Sequence, residues 1–144
     1  MKLHFEPNLD YQQSAIEAVC GLFKGQEICR SEFTVTKSFG VGQLGIPGME
    51  TELGIGNRLQ LLDDQILGNL AQIQLMNGLR PAKSLDSGDF TVEMETGTGK
   101  TYVYLRTIFE LNKRYGFTKF VIVVPSVAIK EGVNHTLEIT QDHF

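Results

Sequence analysis

Thr96-Gly97-Thr98-Gly99-Lys100-Thr101 is the densest piece of chemistry in the sequence. It matches the end of the phosphate-loop pattern G-x-x-x-x-G-K-S/T. A nucleoside triphosphate brings about four negative charges. Small residues let the backbone N–H groups of Gly97, Thr98 and Gly99 turn inward around such an anion. A helix opening near Lys100 aims its positive end at the same place. The Lys100 ammonium can then reach the β and γ phosphates, and the Thr101 hydroxyl can hold Mg²⁺. One position departs from the pattern. Met94 stands where the first glycine belongs, which requires the chain to enter the loop with ordinary negative φ.

Other constellations carry less. Gly40-Val41-Gly42-Gln43-Leu44-Gly45 spells G-x-G-x-x-G, but Ile46-Pro47-Gly48 follows, so no helix start stands behind it to hold a pyrophosphate. Leu61-Leu62-Asp63-Asp64 resembles an apolar-acidic metal element, yet it precedes the loop inside a helical pattern and reads as a solvated face. Beyond Lys100 the acids are Glu110, Glu131, Glu138 and Asp142, and none ends an apolar strand. A carboxylate to orient Mg²⁺ and activate water is therefore not expected in this chain. His135, Glu138, Asp142 and His143 have no zinc-type spacing and read as a polar face.

The elements expected to position the loop follow from periodicity. Ile16, Val19, Cys20 and Phe23 form one helical stripe, with Asn8 or Asp10 as its cap and Gly25 as its end. Gln12 lies one turn before Ile16 on that face. A short strand is expected over 32–36, then a glycine-rich loop or insertion around 38–57. Leu59, Leu62, Ile66, Leu70 and Ile73 give a second helix, stopped by Asn77-Gly78 and Pro81. Phe90-Thr91-Val92-Glu93-Met94 alternates like a strand, although Glu93 is out of place in a core. A helix with Tyr104, Ile108, Leu111 and Tyr115 in one stripe follows the loop, with Gly116 at its exit. Phe120-Val121-Ile122-Val123-Val124 reads as a strand buried on both faces. Ser126 caps a last helix through Ile129 and Val133 towards Leu137. Strand, loop, helix and strand make a βαβ unit, so an α/β fold with a parallel sheet and flanking helices is expected.

Composition bounds the rest. The chain has 144 residues, 42% apolar and 21% charged, which suits one globular domain and excludes a disordered acidic tail. No apolar run is long enough to span a bilayer, and no secretory signal is visible at the start. Cys20 and Cys29 have neither metal-ligand spacing nor disulfide density, which points to a reducing cytoplasm. The net charge is −4, whereas a stand-alone nucleic-acid binder is basic. Any nucleic-acid contact is expected through a local site or within something larger.

Tyr11-Gln12 ahead of a helix, Thr96 to Thr101, and Val121-Ile122-Val123-Val124-Pro125-Ser126 together resemble the start of the first RecA-like domain of superfamily 2 helicases and translocases. More closely, residues 91–102 and 124–133 are similar to the Res subunit of type III restriction enzymes, where a methionine at the Met94 position is typical. The resemblance implies a partial RecA-like phosphate-loop NTPase domain over 1–144. It implies that ATP and Mg²⁺ bind at Thr96, Gly97, Thr98, Gly99, Lys100 and Thr101, with Lys100 and Thr101 in the catalytic role. It implies that Gln12 reads the adenine edge and that Pro125 and Ser126 contact DNA phosphates. It further implies double-stranded DNA and a modification (methyltransferase) subunit as partners. The family's acidic motif, second RecA-like domain and nuclease domain are not in this sequence, so an N-terminal portion with little or no ATPase activity of its own is expected. Two other expectations stand beside it: a small self-contained phosphate-loop kinase or GTPase, and a non-catalytic remnant with exposed apolar surface.

Overall fold

The computed structural model describes residues 9–28 and 57–140. Among them are four helices: α1 (Asp10–Gly21), α2 (Asp63–Met76), α3 (Lys100–Tyr115) and α4 (Val127–Thr140). The expected strand over 32–36, all but the last residue of the glycine-rich stretch around 38–57, Cys29, Asp142 and His143 lie outside the described residues.

α1 forms over the expected stripe, but Leu9 stands at its N-cap position instead of Asn8 or Asp10, and it ends at Gly21, ahead of the expected Gly25. Leu9 is extended and caps it, and its carbonyl accepts from the amides of Gln12 and Gln13, both at 3.0 Å. Asp10 lies in the first turn, where a carboxylate favours the helix dipole. Gln12, Ile16 and Cys20, spaced by four, are its buried residues. Ile16 and Cys20 join Val103 and Leu111 of α3, and Phe117 beyond it, in one apolar cluster. Phe23, Tyr115 and Phe117 close that cluster with ring centroids 5.3 to 6.0 Å apart.

α3 has the expected period but a shifted phase. Tyr102, Val103, Leu105, Thr107 and Leu111 are buried, while of the expected stripe only Leu111 is fully so. Val103, Thr107 and Leu111 lie on the face turned to α1, and the Thr107 hydroxyl donates to the Val103 carbonyl at 2.7 Å. Gly116 ends the helix at φ 73°, its amide donating to the Asn112 carbonyl at 2.8 Å.

α1 and α3 run side by side in the same direction. Their starts meet at Gln12 and Thr98, and their ends meet where Arg114 pairs with Glu17 and the Tyr115 hydroxyl donates to the Cys20 carbonyl at 2.8 Å. α2 packs on the other side of α1. There a β-carbon at Gly21 would come within 3.3 Å of Ile73. The Asn69 side chain donates to the carbonyls of Leu22 and Lys24, satisfying acceptors at the end of α1. Leu59 and Leu62, expected inside the second helix, precede it and are exposed. Asp63 and Asp64 form its exposed first turn, as a solvated face should.

The expected α/β fold with a parallel sheet is corrected by the structure. Among the described residues there is no strand and no sheet. Among the described residues, Phe90–Met94 and Phe120–Val124 make no backbone hydrogen bonds to another segment. Val121 and Val123 are 89% and 88% exposed, the reverse of a strand buried on both faces. The physical reason is that β-branched runs record a preference for a pleated, half-buried surface, not a partner. A strand exists only through a ladder with a neighbour. Glu93 is exposed, so the charge that was out of place in a core strand faces water.

Candidate functional site

The loop from Met94 to Gly99 leads straight into α3. Gly97 and Gly99 hold φ of 82° and 80°, in the left-handed region that suits glycine, and Gly99 is the N-cap residue of α3. The pattern requires glycine at position 99; Gly97 fills a free position of it, where the same left-handed φ favours glycine. The Thr98 hydroxyl donates to the Glu95 carbonyl at 2.7 Å, bracing the turn. Lys100 Nζ donates to the carbonyl oxygens of Met94 at 2.8 Å and Glu95 at 2.7 Å. Its side chain therefore ties the end of the loop back to its beginning.

The backbone N–H groups of Gly97, Thr98, Gly99, Lys100 and Thr101 donate to no carbonyl among the described residues. The first amides of any helix lack intrahelical partners, and here the turn adds those ahead of it. Thr96, Gly97, Gly99 and Lys100 are exposed, and Thr98 and Thr101 are half-buried. The Thr101 hydroxyl makes no hydrogen bond with the described residues. Free amides, one ammonium and one hydroxyl at a helix start are a donor set that fits a polyphosphate with its divalent cation.

Gln12 is 4% exposed and faces this loop from the start of α1. Its Nε2 donates to the Thr98 carbonyl at 2.8 Å, while Oε1 is buried without a partner among the described residues. A β-carbon at Gly99 would lie 2.6 Å from Nε2. Periodicity placed Gln12 on the buried stripe but did not reveal its contact with Thr98. The available signal was a polar side chain one turn before Ile16, since a buried amide needs a partner.

Pro125 and Ser126 are far along the chain, at the head of α4, and both are exposed. Ser126 caps that helix: its Oγ accepts from the Ile129 amide at 3.4 Å, and its carbonyl accepts from the Lys130 amide at 3.1 Å. Neither residue is hydrogen-bonded to the loop. A groove of about 1060 Å³ runs between α1, α2 and residues 90–98. Thr96, Gly97 and Thr98 line it together with Tyr11, whereas Lys100 and Thr101 do not. No group of His, Cys, Asp or Glu among the described residues is arranged to hold a metal. No helix there is long and apolar enough to cross a membrane.

Comparison with known proteins adds a family. The model of the type III restriction enzyme, res subunit, matches residues 7–143. The chain belongs to that family. It is 32% identical over 97% of its length to the EcoPI Res subunit of Escherichia phage P1. It is 34% identical over 96% of its length to the EcoP15I Res subunit of Escherichia coli. A stretch of 61 residues, 41% of the chain, is 52% identical to the StyLTI Res subunit of Salmonella typhimurium and covers 6% of it. Each relative is described as part of a type III restriction-modification enzyme. The chain spans 13% of the length of the EcoPI and EcoP15I subunits.

Proposed function

We propose that this chain is the ATP-binding portion of a type III restriction endonuclease subunit, an ATP-dependent DNA translocase or helicase that cleaves DNA. What carries the reading is the loop into α3, where the amides from Gly97 to Thr101 donate to no carbonyl among the described residues and Lys100 Nζ is tied back to the carbonyls of Met94 and Glu95. Thr96, Gly97, Thr98 and Gly99 bind the phosphates through backbone N–H groups. Lys100 neutralises the outer phosphates, and the Thr101 hydroxyl holds Mg²⁺. Bound ATP supplies the phosphoanhydride whose hydrolysis powers movement on DNA. Gln12 belongs to the same site from α1. Pro125 and Ser126, exposed at the head of α4, contact phosphates of double-stranded DNA, where a helix start offers donors.

The parent protein works in the cytoplasm with a modification (methyltransferase) subunit; the relatives' names, each a Res subunit of a restriction-modification enzyme, support the modification partner. Membership of the Res family favours this over a self-contained kinase or GTPase. The acids beyond Lys100 are Glu110, Glu131, Glu138 and Asp142, none of which ends an apolar strand to activate water, so the 144-residue chain hydrolyses little or no ATP by itself. Calorimetric titration of the chain with Mg-ATP tests the reading. Saturable binding that Lys100→Ala weakens at least roughly tenfold is expected, because a charge-assisted contact of this kind contributes about 1.5–3 kcal/mol. Equal binding by the wild type and Lys100→Ala would contradict it.

A further inference from the structure

We propose that the Thr98 hydroxyl is the tie that holds the phosphate loop in shape while Lys100 serves the phosphates. This rests on the nucleotide-binding reading above. Among the described residues, two side chains at the end of the loop reach back to its beginning. Lys100 Nζ donates to the Met94 carbonyl at 2.8 Å and to the Glu95 carbonyl at 2.7 Å. The Thr98 hydroxyl donates to the same Glu95 carbonyl at 2.7 Å. A carbonyl oxygen has two lone pairs, so Glu95 can accept from both. An ammonium has three N–H donors. Two of them go to carbonyls here, so serving both the β and the γ phosphate takes at least one away. The Thr98 bond is the tie for which the ligand does not compete.

The place of Thr98 in the chain supports the assignment. It stands between Gly97 and Gly99, both in the left-handed region. Glycine loses more conformational freedom on ordering than any other residue, so a Gly-Thr-Gly run resists being fixed. A bond from the residue between the two glycines restrains both sides before a ligand arrives. Preorganisation of this kind raises affinity by lowering the ordering that binding requires. The phosphate-loop pattern leaves position 98 free, so the motif itself does not call for a hydroxyl there. Thr98 is thus a positioning residue whose side chain acts through the Glu95 carbonyl.

The test is calorimetric titration of the chain with Mg²⁺ and inorganic tripolyphosphate, paired with urea unfolding of the ligand-free protein. Thr98→Val keeps the shape of the side chain and loses the donor, whereas Thr98→Ser keeps the donor. Thr98→Val is expected to weaken tripolyphosphate binding about three- to tenfold, the worth of one net hydrogen bond, and Thr98→Ser to stay within about twofold of the wild type. In the ligand-free state Thr98→Val should destabilise more in a Lys100→Ala background than alone, because the lysine no longer shares the work. Unchanged affinity in Thr98→Val would overturn the proposal, and a loss of stability without a loss of affinity would leave the hydroxyl a brace of the empty loop only. Equal weakening by Thr98→Val and Thr98→Ser would overturn it too, since the hydroxyl would then not be the group that matters. Failure of the underlying reading looks different: Lys100→Ala would bind tripolyphosphate as tightly as the wild type.

Discussion

The Tyr115 hydroxyl donates to the Cys20 carbonyl oxygen at 2.8 Å, fastening the last turn of α3 to the last turn of α1. At the opposite ends of the same two helices, Gln12 meets Thr98. Two polar ties thus bracket the cluster of Ile16, Cys20, Val103 and Leu111. Helices packed on such a cluster slide little, because interiors are close-packed. The register they fix is what sets the loop against Gln12.

Substitution of the two loop glycines should separate conformational strain from steric conflict. Both are in the left-handed region, where a β-carbon costs about 1–2 kcal/mol. An added β-carbon meets nothing within 4 Å at Gly97 but lies 2.6 Å from Gln12 at Gly99. Gly99→Ala is therefore expected to destabilise more than Gly97→Ala in urea unfolding. Combining Gly99→Ala with Gln12→Ala should recover part of the excess. Equal destabilisation by the two single changes would show that Gln12 does not crowd position 99.

The Cys20 thiol should be inert in the native protein. The residue is fully buried, and burial pushes its pKa up to about 11, with the nearby Arg114 working weakly against that shift. Thiolate is the reactive species, so native Cys20 should react with a disulfide reagent at least roughly a hundredfold more slowly than after denaturation. A Cys29→Ser background isolates it, since the chain has two cysteines. Rapid native labelling in that background would contradict the packing of α1 on α3.

Acid should weaken the tie between Glu17 and Arg114. The hydrogen bonds from Arg114 hold the Glu17 carboxyl below the usual carboxylate range, although partial burial opposes them. A pKa lowered by folding contributes stability above the unfolded value, which is lost as pH falls through the folded one. The window is therefore below about pH 4.3. Glu17 is 55% exposed, so solvent screening limits the pair to about 0.5 kcal/mol. Wild type and Glu17→Gln should differ by that amount in urea unfolding at neutral pH and converge in acid. A gap that persists in acid would assign the difference to something other than this charge.

The helices were legible in the sequence to the extent that their determinants are local. The stripe of Ile16 and Cys20, the Gly116 exit and the Ser126 cap depend on neighbours within a turn, and all stand where the pattern put them. The loop was legible for the same reason, because Gly97, Gly99 and Lys100 act on the backbone beside them. The expected strands over 90–94 and 120–124 failed because pairing is a non-local property that Phe120–Val124 cannot encode alone. The Gln12–Thr98 contact spans most of the chain. Only the tertiary arrangement of α1 and α3 reveals it.

The central claim is that the amides from Gly97 to Thr101, which donate to no carbonyl among the described residues, form a cradle for phosphate groups. Amide NMR of the ¹⁵N-labelled chain, titrated with tripolyphosphate and Mg²⁺, tests it most directly. The expected result is saturable shifts concentrated at Gly97, Thr98, Gly99, Lys100 and Thr101 that vanish in Lys100→Ala. Shifts that leave these five amides unmoved, or that persist in Lys100→Ala, would contradict it.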